Sequence, residues 1–121
     1  MALKLTRREQ EGVSILRLTG CLTFGPEEVS LNDEIRRAVA AGRNRLVIDM
    51  GGVDRIDSAG LGTLLYARAE MRRAGGGLAL ANLHPSHRKA LRVAGLESAF
   101  ESFGAERDAI HSFVLEPANR N

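Results

Sequence analysis

A chain of 121 residues is the size of one domain and is long enough to bury a core without metal or disulfide support. Hydrophobic residues at 44% and charged residues at 26% exclude a disordered chain, and the single cysteine, Cys21, excludes an internally stapled scaffold. The net charge is only +2, and 4% aromatics with no Trp offer little to stack nucleic-acid bases. No apolar run reaches the ~20 residues that cross a bilayer. The expectation is one cytoplasmic domain with no membrane insertion and no direct nucleic-acid contact.

Leu3 and Leu5 alternate with polar neighbours, Gln10-Glu11-Gly12 offers a turn, and residues 13–19 follow as a second strand closed by Gly20. The pattern predicts a β-hairpin. A loop of residues 21–26 leads to a helix opened by Pro26, with Leu31, Ile35, Ala38 and Val39 on one stripe. Gly42 marks its stop. Leu46-Val47-Ile48-Asp49-Met50 is a nearly continuous apolar run, which suits a strand covered on both faces. Residues 51–57 are read as a loop.

A second helix is predicted over residues 58–74, with Leu61, Leu64, Leu65, Ala67, Met71 and Ala74 inward. Gly75-Gly76-Gly77 ends it, and residues 78–81 form another strand. Pro85 and Ser86 open a third helix that reaches Gly95. Phe100 and Phe103 lie in a short strand or turn, and residues 106–113 form a last helical segment. Residues 116–121 are read as a loose C-terminal tail. Strands alternating with helices predict an α/β domain over residues 1–115. Its sheet is mixed but mostly parallel, with four to five strands, and helices pack on it.

The informative stretch runs from Asp49 to Gly62. It places Asp57-Ser58 where the chain enters a helix, followed by Ala59-Gly60-Leu61-Gly62. Asp and Ser are both strong N-cap residues, so either could simply cap the helix. Gly60 and Gly62 in the first turns cost about 1 kcal/mol each relative to Ala. They leave the helix start bare, so that another backbone or a phosphate could approach Ser58.

Catalytic readings of the same residues fail. An α/β-hydrolase elbow needs Gly-x-Ser-x-Gly directly after a strand, and Ile56 stands where the first Gly belongs. A phospho-aspartate receiver would use Asp49, but no acidic pair follows the first strand. His84 and His87 have no Cys or acid nearby to complete a metal set. The expectation is therefore a non-enzyme with no cofactor and no metal. Cys21 and Phe24 read as packed apolar residues.

The arrangement resembles the STAS domain family, and within it the bacterial anti-sigma factor antagonists. The resemblance rests on the strand Val47-Ile48-Asp49-Met50, on Asp57-Ser58-Ala59-Gly60-Leu61-Gly62 opening a helix, and on Ala94-Gly95-Leu96 after the third helix. It spans about residues 3–113. It implies that Ser58 is the phosphorylation acceptor of a partner that is both anti-sigma factor and serine kinase. The unphosphorylated form would bind that partner and free a sigma factor, and phosphorylation would end the binding. Asp54, Asp57, Ala59, Gly60, Leu61 and Gly62, with Thr23 and Phe24 of the preceding loop, are the expected partner-binding residues. A homodimer is admitted as a second state. The alternative implied by the resemblance is an accessory subunit of a transporter or stress-sensing complex, in which Ser58 is no switch.

Overall fold

The chain opens with an antiparallel pair, strands β1 (Lys4–Gln10) and β2 (Val13–Leu22), joined through Glu11 and Gly12. Both turn residues have positive φ, 54° and 78°, the geometry that a two-residue hairpin needs to match strand twist. Helix α1 (Pro26–Ala40) follows, then β3 (Arg45–Ile56), α2 (Ser58–Arg73), β4 (Gly77–Ala81), α3 (Pro85–Val93), a single 3₁₀ turn (Glu97–Ala99), β5 (Glu101–Phe103) and α4 (Glu106–Leu115). This computed structural model describes residues 3–115, so the expected tail at residues 116–121 lies outside the described residues.

The five strands form one sheet in the order β1-β2-β3-β4-β5, with β1 antiparallel and every other neighbour parallel. Each parallel connection carries a helix, as the α/β pattern requires. One face of the sheet presents Leu16, Leu46, Ile48, Leu78 and Leu80 to Leu31 and Ile35 of α1 and Leu64, Ala67 and Met71 of α2. Leu91 of α3 joins the same core. The other face is narrower. Val13, Ile15, Val47, Ala79 and Ala81 meet Ala109, Ile110 and Phe113 of α4. Two-sided cover explains why β3 and β4 read as continuous apolar runs. Ile35 is fully buried, and truncating such a residue to Ala costs about 2–5 kcal/mol.

Three expectations are corrected. β2 does not stop at Gly20 but continues to Leu22, with its register shifting between Gly20 and Cys21. Residues 51–56 are strand, not loop, because β3 extends to Ile56 by pairing Gly52, Val53, Arg55 and Ile56 with Thr19, Gly20, Cys21 and Leu22. The hydrogen bonds that make them strand come from residues about thirty positions earlier, so local polarity misleads. Ala74 is exposed and stands at the C-cap of α2 rather than in the core. Among the described residues no helix is long and apolar enough to cross a membrane.

Candidate functional site

The β2–β3 ladder continues to Ile56, beyond the last β3–β4 pair at Asp49, before α2 begins. Its last pair, Leu22 and Ile56, sets the loop after β2 beside the start of α2. Asp57 is the N-cap: its Oδ1 accepts the Gly60 N–H at 2.9 Å. Its Oδ2 accepts the Phe24 N–H at 3.0 Å. These two amides, the Phe24 donor first, hold the Asp57 carboxyl below its ordinary pKa.

Because Asp57 caps, Ser58 does not. Ser58 is the first residue of α2 and is exposed, and among the described residues its hydroxyl has no hydrogen-bond partner. The sequence left Asp57 and Ser58 as competing caps, and the geometry separates their roles.

The two helix-start glycines also separate. A Cβ on Gly60 would lie 2.1 Å from the Leu22 carbonyl oxygen, so this position must be Gly for α2 to dock on the end of β2. A Cβ on Gly62 would meet nothing within 4 Å, and Gly62 is exposed. The bareness at Gly62 faces outward, whereas that at Gly60 is filled by backbone. Ala59 is half-buried, and Leu61 is half-buried against the main core.

Cys21, Thr23, Phe24, Asp54, Arg55 and Asp57 line a cleft of about 850 Å³ beside Ser58. Thr23, Phe24, Asp54 and Asp57, distant in sequence, thus share one surface. Phe24 is not packed as its apolar character suggested; it is 80% exposed, because the Asp57 bond holds its backbone while its ring finds no cover. Cys21 is half-buried at the end of β2.

The far side of the site is braced by α3. His87 is buried, its Nε2 bonded to the Val53 carbonyl at 3.0 Å and its Nδ1 accepting the His84 N–H at 3.1 Å. This pairing makes His87 a neutral imidazole, and burial lowers its pKa. His84 bonds the Gly51 carbonyl at 2.8 Å. Among the described residues no group of three His, Cys, Asp or Glu is placed to hold a metal.

A further cluster escaped the sequence reading. On the sheet face that α4 covers, at the first turn of that helix, Asp49 lies against Glu106, with Arg8 2.8 Å and Arg17 3.1 Å from the Glu106 carboxylate. Burial, and then Glu106, raise the Asp49 carboxyl above its usual range. The contact with Asp49, then Arg8 and Arg17, holds Glu106 down at about 2. Alternation along β2 and β3 puts Arg17 and Asp49 on one face, but only the docking of α4 brings Glu106 to them.

The STAS domain family profile matches residues 4–109. The chain belongs to the STAS domain family. A Bordetella bronchiseptica protein named as an anti-sigma factor antagonist, BtrV, is 32% identical to this STAS domain over 111 residues, covering 92% of this chain and 95% of that protein. Among solved structures, an anti-sigma factor antagonist of Thermotoga maritima superposes with a TM-score of 0.83 at 17% identity, over 90% of this chain and 93% of that one. The phosphorylated form of the Bacillus cell fate determinant SpoIIAA superposes at 0.70 and 23% identity, over 92% and 98%. The fold is also that of a sulfate transporter family protein from Wolinella succinogenes, at 0.70 and 19% identity, over 88% of each chain.

Proposed function

We propose that this STAS domain is an anti-sigma factor antagonist that acts by partner switching, with Ser58 as its phosphorylation acceptor. The observation that carries the reading is the division of labour at the start of α2. Asp57 provides the cap, so the Ser58 hydroxyl has no structural duty and faces solvent beside the cleft of Phe24, Asp54 and Asp57. The relationship to BtrV along nearly the whole chain supports the same class of function.

The physics of such a switch is local. A phosphoserine adds about −1.5 to −2 charges and three acceptor oxygens. At a helix N-terminus the dipole tolerates that charge, so the fold survives. The charge would stand beside Asp57 and Asp54, and a partner that packs against the bare Gly62 surface and the Phe24 ring would meet both repulsion and bulk. The partner in this reading is an anti-sigma factor with serine kinase activity, and the chain itself performs no catalysis.

The test is incubation with an anti-sigma factor kinase from the same genome and ATP, read by intact mass. One added phosphate on the natural chain and none on Ser58→Ala is expected. Equal modification of Ser58→Ala would refute the acceptor assignment. In the transporter-subunit reading, neither form is modified and both bind transporter subunits alike.

A further inference from the structure

The parallel strands begin at the end of the sheet opposite Ser58, and a different set of side chains converges there. Arg45 opens β3, Arg68 and Arg72 stand on successive turns of α2, and Glu101 opens β5. Together they surround a cavity of about 540 Å³ floored by Leu78 and Phe113, both mostly buried. The rise of α2 from Ser58 to Arg68 separates the two sites by about 15 Å.

The charge in this cavity is unbalanced. Among the described residues, eight arginines have a carboxylate partner within 4.0 Å. Arg45, Arg68 and Arg72 have none; Arg55, Arg88 and Arg107 also have none but are exposed, whereas Arg45 and Arg68 are half-buried. The carbonyl end of α2 attracts cations, which accounts for Arg72 and its neighbour Arg73. It does not account for Arg45, which comes from a strand, or for the convergence of all three on one concavity. Glu101 is the one carboxylate in the lining.

We propose that this cavity binds a small phosphomonoester with an apolar body. Guanidinium forks match phosphate oxygens two at a time, which an ammonium cannot do. A phosphomonoester carries about −2 charges, the surplus that three arginines leave over Glu101. Leu78 and Phe113 supply an apolar surface for the organic part, and the volume is that of an ordinary small-molecule pocket. The site shares no residue with the Ser58 cleft, so it stands whether or not Ser58 is a switch.

The probe is phenyl phosphate, titrated into the ¹⁵N-labelled full chain, with inorganic phosphate and phenol as separate arms. Saturable amide shifts confined to Arg45, Arg68, Arg72, Leu78 and Ser98 are expected with phenyl phosphate. Inorganic phosphate should bind more weakly and phenol not at all. Arg68→Gln with Arg72→Gln should weaken phenyl phosphate about tenfold or more, since charge-assisted bonds are lost. Ser98→Glu, at an exposed position in the lining, should do the same while leaving the arginines in place. Circular dichroism establishes that the variants are folded. Scattered or absent shifts, equal binding of phenol, or folded variants that bind like the natural chain would each overturn the proposal. So would tighter binding of hexaglutamate than of phenyl phosphate, which would reassign the cavity to an acidic protein segment.

Discussion

The Asp57 carboxylate fixes the backbone of Phe24: Oδ2 accepts the Phe24 amide at 3.0 Å while Oδ1 caps α2 through the Gly60 amide at 2.9 Å. One side chain therefore couples the loop after β2 to the start of the helix that carries Ser58. Asp57→Ala should cost about 1–2 kcal/mol, the usual loss for a missing N-cap with a second bond. Asp57→Asn retains acceptor oxygen and should cost less. The folded carboxyl has a depressed pKa, so its contribution is present above the unfolded value and is lost as pH falls through the folded one. Urea unfolding at neutral and acid pH should show that slope in the natural chain and a shallower one in Asp57→Asn.

The glycine pair offers a sharper contrast. Gly60→Ala puts a methyl group 2.1 Å from the Leu22 carbonyl oxygen, so either α2 shifts or the chain unfolds, with a loss above about 3 kcal/mol. Gly62→Ala meets open space inside a helix and should stabilise by about 0.5–1 kcal/mol. Thermal unfolding of the two variants reads both signs. If Gly62→Ala stabilises the fold yet weakens the anti-sigma factor complex, the bare surface at Gly62 serves the interface.

Phe24 and Ser58 separate binding from folding. Phe24→Ala removes a ring that is 80% exposed and should change stability by no more than about 0.5 kcal/mol. As a central aromatic anchor it should cost the complex about tenfold or more in affinity. Ser58→Asp places an acid in the first turn, where the dipole favours it, and should fold normally while binding the anti-sigma factor more weakly. Calorimetric titration beside circular dichroism distinguishes these outcomes. An unfolded Ser58→Asp would point to a structural serine instead.

His87 makes stability depend on pH near neutrality. It is neutral in the fold, with a depressed pKa, and is free to protonate when unfolded. The unfolded chain therefore binds more protons below about pH 6.5, and stability falls as pH drops through that region toward the folded pKa. Its Nδ1 already accepts the His84 amide, so a proton there would break the α3 cap. His87→Ala should lose about 2–4 kcal/mol at neutral pH and flatten this slope. Urea midpoints at about pH 5.5 and pH 7.5 on both proteins check it.

The Asp49 and Glu106 carboxyls carry opposite signs. Glu106 sits near 2, so its stabilisation is present above the unfolded value and lost only in strong acid. Asp49 is raised, so the fold holds its proton better than the unfolded chain does, and its contribution declines as pH rises through the folded pKa. Glu106→Gln should cost about 1 kcal/mol, discounted because Arg8 and Arg17 are largely exposed. Asp49→Asn keeps an acceptor for the Gly51 amide and should be neutral or slightly stabilising at pH above neutrality. Denaturant titrations across the pH range compare the two.

Much of this was legible in the residues. The apolar stripe of Leu31, Ile35 and Ala38, the buried run at residues 46–50 and the glycine stop after α2 are local patterns with the period of the element they form. The Asp57-Ser58 helix start and its two glycines were visible as a site for the same reason. Family membership followed from that stretch, because its spacing is local as well.

What the sequence could not assign depends on contacts between distant residues. Asp57 takes the cap through the Gly60 amide, and the Phe24 amide comes to its second oxygen from the loop after the neighbouring strand β2. Gly60 is required by the Leu22 carbonyl, while Gly62, two positions later, is required by nothing in the fold. Residues 51–56 became strand because β2 offered them partners, docking of α4 set Glu106 against Arg8 and Arg17, and folding gathered Arg45, Arg68 and Arg72 around one concavity. Periodicity sets which face a side chain takes along its own element. Only packing of the elements decides which donor, carbonyl or charge it then meets.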